Sequence, residues 1–324
     1  MKFLHACTYA IVLNMLVCNA QAATLPGIPE FINEMVAKHK FKKHELENLF
    51  EHAQYRPDVI EAISRPATIK PWPEYRAAFV NAKRIKLGVD FWHKYHVTLQ
   101  RASRQYGVPV EIIVAIIGVE TIYGRNAGSF RTIDALTTLA FDYPRRAPFF
   151  RSELENYLLL ARDQEFDLLA VRSSYAGALG IPQFMPSSYR NFAVDFNGNH
   201  KIDLLHEDRD AIGSVANYMK AYGWIAGEPI ASLARVNLAS CISDIKTPRM
   251  LPDWASDGFT PVNKVEYSQP VRLMDFTVEA GKEFWLAYHN FEVITKYNNS
   301  DFYAMSVYQL AEAIKAAHRA LVTR

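Results

Sequence analysis

The stretch Val110-Glu111-Ile112-Ile113-Val114-Ala115-Ile116-Ile117-Gly118-Val119-Glu120-Thr121-Ile122-Tyr123-Gly124 decides the fold. From 110 to 119 it is apolar nearly all round, and Glu111 is its only charge before Glu120. A surface helix shows one apolar stripe, whereas a helix apolar on every side is buried. Gly107-Val108-Pro109 opens it, since proline suits a helix start. These residues predict a helix over 110–119 at the centre of a helical core, with an acid at its end.

The acid has a distinctive setting. Residues 112–117 offer Glu120 neither water nor counter-charge. Desolvation disfavours the charged form, so the carboxyl is expected to hold its proton well above the usual carboxylate range. A general acid working near neutral pH needs that property. Gly118 and Gly124 on either side would let a bulky ligand approach the backbone. The bland alternative is a structural glutamate paired with Arg125 or Arg131, because structural ion pairs also perturb carboxylates.

Outward from this helix the chain stays helical. Pro29 suits a helix start, and Phe31, Ile32, Met35 and Val36, then Leu46, Leu49 and Phe50, recur at helix spacing within 28–103. Residues 65–73 include Pro66, Pro71 and Pro73 and are expected to form an extended connector. Segments 134–139, 149–161 and 211–222 follow as helices, the last closed by Gly223. Over 227–281, Pro, Gly and Asp punctuate short segments, and 262–267 and 271–278 carry the Val, Phe and Tyr of strands. Val307, Leu310, Ile314, Ala317 and Leu321 then share one face of a closing helix. The fold class is mainly α (α+β). An N-terminal helical domain covers 23–103, a catalytic core 104–226, a small β-rich subdomain 227–282, and a helical part 283–324 completes the core.

Composition narrows the partners. A chain of 324 residues, 50% hydrophobic and 22% charged, folds and is neither disordered nor membrane-spanning. A net charge of +2 with no dense Lys/Arg block argues against nucleic acid. Its 17 tyrosines are ordinary core filling, and they are also side chains that stack on sugar faces. Lys2, an apolar run over 9–17 broken only by Asn14, and Ala20-Gln21-Ala22 form an export signal over 1–22 with a small-x-small cleavage site. The run is too short to span a bilayer. Cleavage leaves Cys241 alone, so the mature fold needs no internal disulfide. Lipid attachment at Cys18 is the rival, disfavoured by Val17 where a small residue is wanted. Soluble periplasmic export is thus preferred to an outer-membrane lipoprotein.

Two further segments carry chemistry. Residues 172–189 read Arg-Ser-Ser-Tyr-Ala-Gly-Ala-Leu-Gly-Ile-Pro-Gln-Phe-Met-Pro-Ser-Ser-Tyr, alternating small residues with donors and acceptors. This suits the wall of a groove that binds acetamido and hydroxyl groups, or a plain Gly-rich connector. Residues 195–203, Asp-Phe-Asn-Gly-Asn-His-Lys-Ile-Asp, place oxygens at alternate positions like the first half of an EF-hand calcium loop. Asp195, Asn197, Asn199 and the Lys201 carbonyl are the candidate ligands. His200 stands where a glycine normally turns the loop, and His206 where a glutamate normally closes it. An Asx-rich turn without metal is the alternative. No zinc-site spacing and no Gly-x-Ser-x-Gly elbow occur.

Taken in order, Gly118-Val119-Glu120-Thr121, Asp142-Tyr143-Pro144-Arg145-Arg146-Ala147, Gln183-Phe184-Met185-Pro186-Ser187-Ser188 and Asp210-Ala211-Ile212-Gly213-Ser214-Val215-Ala216-Asn217-Tyr218 resemble the lytic murein transglycosylase B family, glycoside hydrolase family 103. The resemblance runs from about residue 28 to the C-terminus. It implies a lysozyme-like core and non-hydrolytic cleavage of the β-1,4 bond between N-acetylmuramic acid and N-acetylglucosamine in peptidoglycan glycan strands, leaving a 1,6-anhydro-muramic acid end. It implies that Glu120 acts first as acid and then as base. Ser174, Gln183, Tyr218, Tyr297, Asn298 and Tyr303 match its groove residues, and Asp210 its loop-closing aspartate. It implies no cofactor for catalysis, a structural Ca²⁺ in the 195–210 loop, a monomer, and cell-wall synthesis or division proteins as candidate partners. A hydrolytic muramidase and a non-catalytic peptidoglycan-binding protein are the alternatives.

Overall fold

The structure is a computed structural model that describes residues 22–65, 70–237, 245 and 247–322. The leader segment 1–21, with Cys7 and Cys18, lies outside the described residues, as do Cys241 and positions 66–69 of the connector. Six helices come first: α1 (Ile28–His39), α2 (Lys43–His52), α3 (Pro57–Ser64), α4 (Trp72–Phe79), α5 (Ala82–Lys94) and α6 (His96–Tyr106). Prolines occupy the first turns of α1, α3 and α4, where a missing N–H costs nothing. Trp72 and Pro73 therefore belong to a helix, and the expected connector ends at Pro71.

The central helix α7 (Val110–Thr121) is buried on every side from Ile112 to Val119. Around it come β1 (Phe130–Arg131), α8 (Thr132–Asp142), α9 (Ala147–Gln164), β2 (Arg172–Ser173), α10 (Pro186–Phe192) and α11 (Asp208–Ala221). Helices α8, α9 and α11 overrun the expected 134–139, 149–161 and 211–222 at one end or both. Periodicity marks only the buried turns, and helix ends are polar.

A four-stranded antiparallel sheet follows, built from β3 (Ala231–Val236), β4 (Phe259–Pro261), β5 (Arg272–Val278) and β6 (Gly281–Ala287) in the order β4-β3-β6-β5. The short helix α12 (Leu251–Ser256) packs on β4. Strand β5 matches the strand expected over 271–278. The one expected over 262–267 does not form. Strand β4 lies at the sheet edge and ends at Pro261; Val262 still donates its N–H to the Leu233 carbonyl at 2.8 Å, but Lys264 and Glu266 beyond it are exposed and unpaired with the sheet. Strand β6 runs past the expected boundary at 282, pairing with β5 from Val278↔Gly281 to Arg272↔Ala287 across a two-residue turn.

Two helices close the chain, α13 (His289–Tyr297) and α14 (Asp301–Val322). α14 packs on α7, α5 and α4, with Val307, Leu310 and Ile314 fully buried. Leu321 is 61% exposed and leaves the expected apolar face, because the helix has run past its partners. Arg272 of β5 ties the sheet to both helices. It donates two 2.7 Å bonds to Asp301 and one of 2.9 Å to Glu292, and the planar fork makes the Asp301 pair bidentate. Among the described residues no single helix is long and apolar enough to cross a membrane.

Candidate active site

Glu120 lies in the last turn of α7, and the turn beyond it is held from three sides. Ile122 and Tyr123 both adopt left-handed backbone, at φ 53° and 60°. For a β-branched residue such as Ile122 this is a strained conformation, of the kind that persists where surrounding contacts over-determine it. Those contacts are specific. The Thr121 hydroxyl donates to the Ile181 carbonyl at 2.8 Å and accepts the Gly124 N–H at 2.9 Å. The Tyr123 hydroxyl donates to the Arg84 carbonyl at 3.0 Å, and Arg84 Nε donates to the Gly118 carbonyl at 2.8 Å.

Gly118 has a different purpose from the one its sequence position suggests. A Cβ there would stand 2.4 Å from the Tyr123 hydroxyl, so the glycine makes room for a side chain of the protein and not for a ligand. Neither Arg125 nor Arg131 pairs with Glu120. Arg131 makes its ion pair with Asp134 at 2.7 Å, and Arg125 donates to the Ile122 carbonyl.

The Glu120 carboxyl is enclosed by protein, yet the residue keeps some solvent exposure. Burial pushes its pKa up, and the Tyr303 hydroxyl, donating to Oε1 at 2.5 Å, pulls it partly back; the result is about 7. No cation and no second carboxyl among the described residues contributes to that shift. The other buried carboxyls are engaged elsewhere. Glu153 accepts from the Ser187 N–H and hydroxyl, Asp134 pairs with Arg131, and Asp210 sits in the 195–210 loop. If Glu120 must be protonated to act, kcat/KM falls above about pH 7. Tyr303→Phe removes a donor to the carboxylate, so that limb is expected to move to higher pH. A pH–rate profile of the variant checks this, and an unmoved or lowered limb would contradict the role of the bond.

A cluster of tyrosines adjoins the carboxyl. Tyr303 of α14 and Tyr297 at the end of α13 stack at 6.4 Å with planes 10° apart, and Tyr218 of α11 packs 4.8 Å from Tyr297. The hydroxyls of two are tied to backbone: Tyr297 donates to the Pro182 carbonyl and Tyr218 to the Lys296 carbonyl, each at 2.6 Å. Tyr218 is nearly buried, so it braces the wall more than it presents a surface. Asn298, directly after α13, is exposed.

The 172–189 segment forms the facing side. Gln183 takes left-handed backbone at φ 53° and donates through Nε2 to the Ala127 and Gly180 carbonyls at 3.1 and 2.9 Å. Ser174 Oγ accepts the Ala178 and Ala176 N–H groups at 3.1 and 3.3 Å and so caps its own turn. Glu120, Tyr303, Tyr297, Tyr218 and the Gln183 loop form one connected set; Ser174 belongs to that loop without touching Glu120. Sequence reasoning missed Tyr75 of α4, a half-buried phenol close enough to feel the Glu120 charge. It follows a proline-rich stretch and carries no local signal of its own.

The cation-loop candidates converge around two carboxylates. Asp195 accepts the N–H groups of Gly198, Asn199 and His200 at 2.7, 3.2 and 2.7 Å. Asp210 is fully buried and accepts those of Phe196, Asn197 and Asp203 at 2.8, 3.1 and 3.0 Å. His200 takes φ 67°, the left-handed turn that a glycine would otherwise supply, and His206 points outward at 80% exposure. Asp210, not His206, closes the loop. Oδ1 of each carboxylate already accepts two N–H groups, whereas Oδ2 of each accepts one and keeps a lone pair; oxygen ligands suit a hard cation such as Ca²⁺. The Asn197 and Asn199 amides add no charge, and among the described residues no three His, Cys, Asp or Glu side chains converge on a metal position.

A helical core that sets one proton-retaining carboxyl against a cluster of tyrosines is the arrangement of an enzyme that cleaves glycosidic bonds. The chain belongs to the transglycosylase SLT domain family, whose pattern matches residues 24–312. It is 41% identical over 314 residues to the membrane-bound lytic murein transglycosylase B of Escherichia coli, covering 94% of this chain and 87% of that protein. Among solved structures it is similar to the Escherichia coli lytic transglycosylase Slt35 in complex with calcium, with 42% identity, TM-score 0.87, and 93% and 96% of the two chains covered. It is also similar to SltB3 from Pseudomonas aeruginosa in complex with NAG-anhNAM-pentapeptide, with 30% identity, TM-score 0.79, and 89% and 78% covered.

Proposed function

We propose that this protein is a lytic transglycosylase that cleaves the β-1,4 bond between N-acetylmuramic acid and N-acetylglucosamine in peptidoglycan, with Glu120 as its acid and base. The observation that carries this reading is the single carboxyl with a pKa near 7, lacking a carboxyl partner, in a wall of tyrosines. Protonated Glu120 gives its proton to the glycosidic oxygen as the bond to muramyl C1 breaks. The resulting carboxylate then takes the proton from the muramyl C6 hydroxyl as that oxygen bonds to C1, closing the 1,6-anhydro ring and restoring the acid. One carboxyl serves both steps because the second nucleophile is the substrate's own hydroxyl, whereas most glycosidases use two. Tyr297, Asn298 and Tyr303 would line one side of the strand, and Ser174 and Gln183 the other, with Tyr218 behind. Digestion of purified sacculi tests the reading by mass spectrometry. Anhydro ends support it, reducing ends would establish a hydrolytic muramidase, and no cleavage would leave a binding protein.

The 195–210 loop would hold Ca²⁺ through Asp195, Asn197, Asn199, the Lys201 carbonyl and Asp210. Its role would be to secure the loop that supports the groove: the Leu204 carbonyl accepts the Ile181 N–H at 2.8 Å, one residue before Pro182. Calcium is expected to raise the melting midpoint of chelator-treated protein, by RT ln(1 + [L]/Kd). A midpoint indifferent to calcium at every concentration removes the metal from this reading. The export signal would deliver the chain to the periplasm. The relative's description as membrane-bound supports a lipid on Cys18 over the soluble form preferred from sequence. Radiolabelled palmitate on the mature protein, or none, distinguishes the two.

A further inference from the structure

The β-rich subdomain supplies none of the side chains around Glu120, yet its strand β5 grips the corner that carries two of them. Tyr297 ends α13 and Tyr303 lies in the first turn of α14, with only residues 298–300 between the helices. Arg272 of β5 spans that corner. Its fork holds Asp301, the first residue of α14, through two 2.7 Å bonds, and its Nε holds Glu292 of α13 at 2.9 Å. Phe276 of the same strand packs 5.9 Å from Phe302, which in turn packs 5.4 Å from Tyr75. Tyr303 thus follows two consecutive residues that β5 holds in place.

That grip matters because a hydrogen bond weakens steeply as its geometry degrades. The bond from the Tyr303 hydroxyl to Glu120 Oε1, at 2.5 Å, is the contact that favours the ionised carboxyl. Other groups face Glu120 from the surrounding helices. Tyr75 of α4, Tyr297 of α13 and Tyr218 of α11 each feel its charge, and Arg84 of α5 is bonded to the Gly118 carbonyl. Among the described residues neither these nor any group of α6, which also packs on α7, shifts Glu120 in return. A displacement of Tyr303 therefore reaches the acid with nothing to offset it.

We propose that Arg272 is a positioning residue, through which the β-rich subdomain holds the Tyr303 hydroxyl on the Glu120 carboxyl. The proposal rests on the reading of Glu120 as the working acid and adds what tunes it. The test reads the ionisation midpoint of the Glu120 carboxyl by carbon-13 NMR of the full chain, the signal being assigned by its loss in Glu120→Gln. Tyr303→Phe is expected to raise the midpoint by about one pH unit, the difference between a charge-assisted bond and a neutral one. Arg272→Gln and Asp301→Asn are each expected to raise it by about half that. Both shifts run upward although the two substitutions remove opposite charges, and both vanish in the Tyr303→Phe background. Shifts of opposite sign would reveal a field acting through space and overturn the proposal. Unchanged midpoints, or shifts that persist without the Tyr303 hydroxyl, overturn it as well. Asp301→Asn, the milder change, decides alone if Arg272→Gln does not fold. Lys315→Gln breaks the 2.6 Å ion pair of α14 with Glu111 of α7, about 21 Å along the helix from Asp301, and should leave the midpoint unmoved. A shift there would mean that any loosening of α14 suffices, which also overturns the role of Arg272. Because the midpoint is read without substrate, a wild type inactive on sacculi would sink the transglycosylase reading and leave this contact chain standing.

Discussion

Replacing Glu120 by glutamine is expected to lower glycan cleavage by roughly 10²–10⁴-fold, the span that a positioned general acid contributes. Glutamine has the shape of the protonated acid and can still accept the Tyr303 hydroxyl, so the site should keep its geometry. It cannot release a proton to a leaving oxygen, nor take one from a C6 hydroxyl. Both halves of the proposed cycle fail together, because one group serves both. Release of anhydro-muropeptides from sacculi reads the effect directly. Wild-type turnover in the glutamine variant would falsify the assignment of Glu120, whatever the structure of its surroundings.

The same substitution should stabilise the fold in a pH-dependent way. An unfolded glutamate ionises near 4.5, whereas folded Glu120 does so at about 7. Between those values the folded chain holds the proton that the unfolded chain has lost. Stability attached to this group is therefore fully present below about pH 4.5 and is lost as pH rises to about 7. Above that the ionised carboxylate costs the fold about 3 kcal/mol, an upper figure because the residue keeps some contact with water. Glutamine does not titrate. The difference in melting midpoint between Glu120→Gln and wild type should be near zero at pH 4 and largest at pH 8. A constant difference across that range would show that burial does not hold the proton. Such a loss is the exchange of stability for a poised acid that the proposed role of Glu120 requires.

Much of the frame could be read from residue patterns. An apolar run from Ile112 to Ile117 can only be satisfied by burial on all sides, so the central helix and its acidic end were visible. Pro29 in the first turn of α1 and the spacing of Val307, Leu310 and Ile314 also marked helices from local sequence. Strands were harder. β3 and β6 carry Ser, Arg, Lys and Glu between their apolar residues, and only pairing with neighbours far along the chain makes them strands. The partners of Glu120 were equally hidden, since Tyr303 and Tyr75 lie far from it in sequence.

The order of amino acids by itself determined that an acid would end a greasy helix, because an apolar run must be buried, and it left open whether Arg125 or Arg131 paired with that acid. Tertiary structure alone decided that Tyr303 bonds that acid, that Gly118 serves Tyr123, and that Arg272 clasps the tyrosine wall through Asp301 and Glu292. Those are contacts between segments joined by no local rule, and only the folded packing of α14 against α7 and of β5 against α13 and α14 brings them within a hydrogen bond's reach.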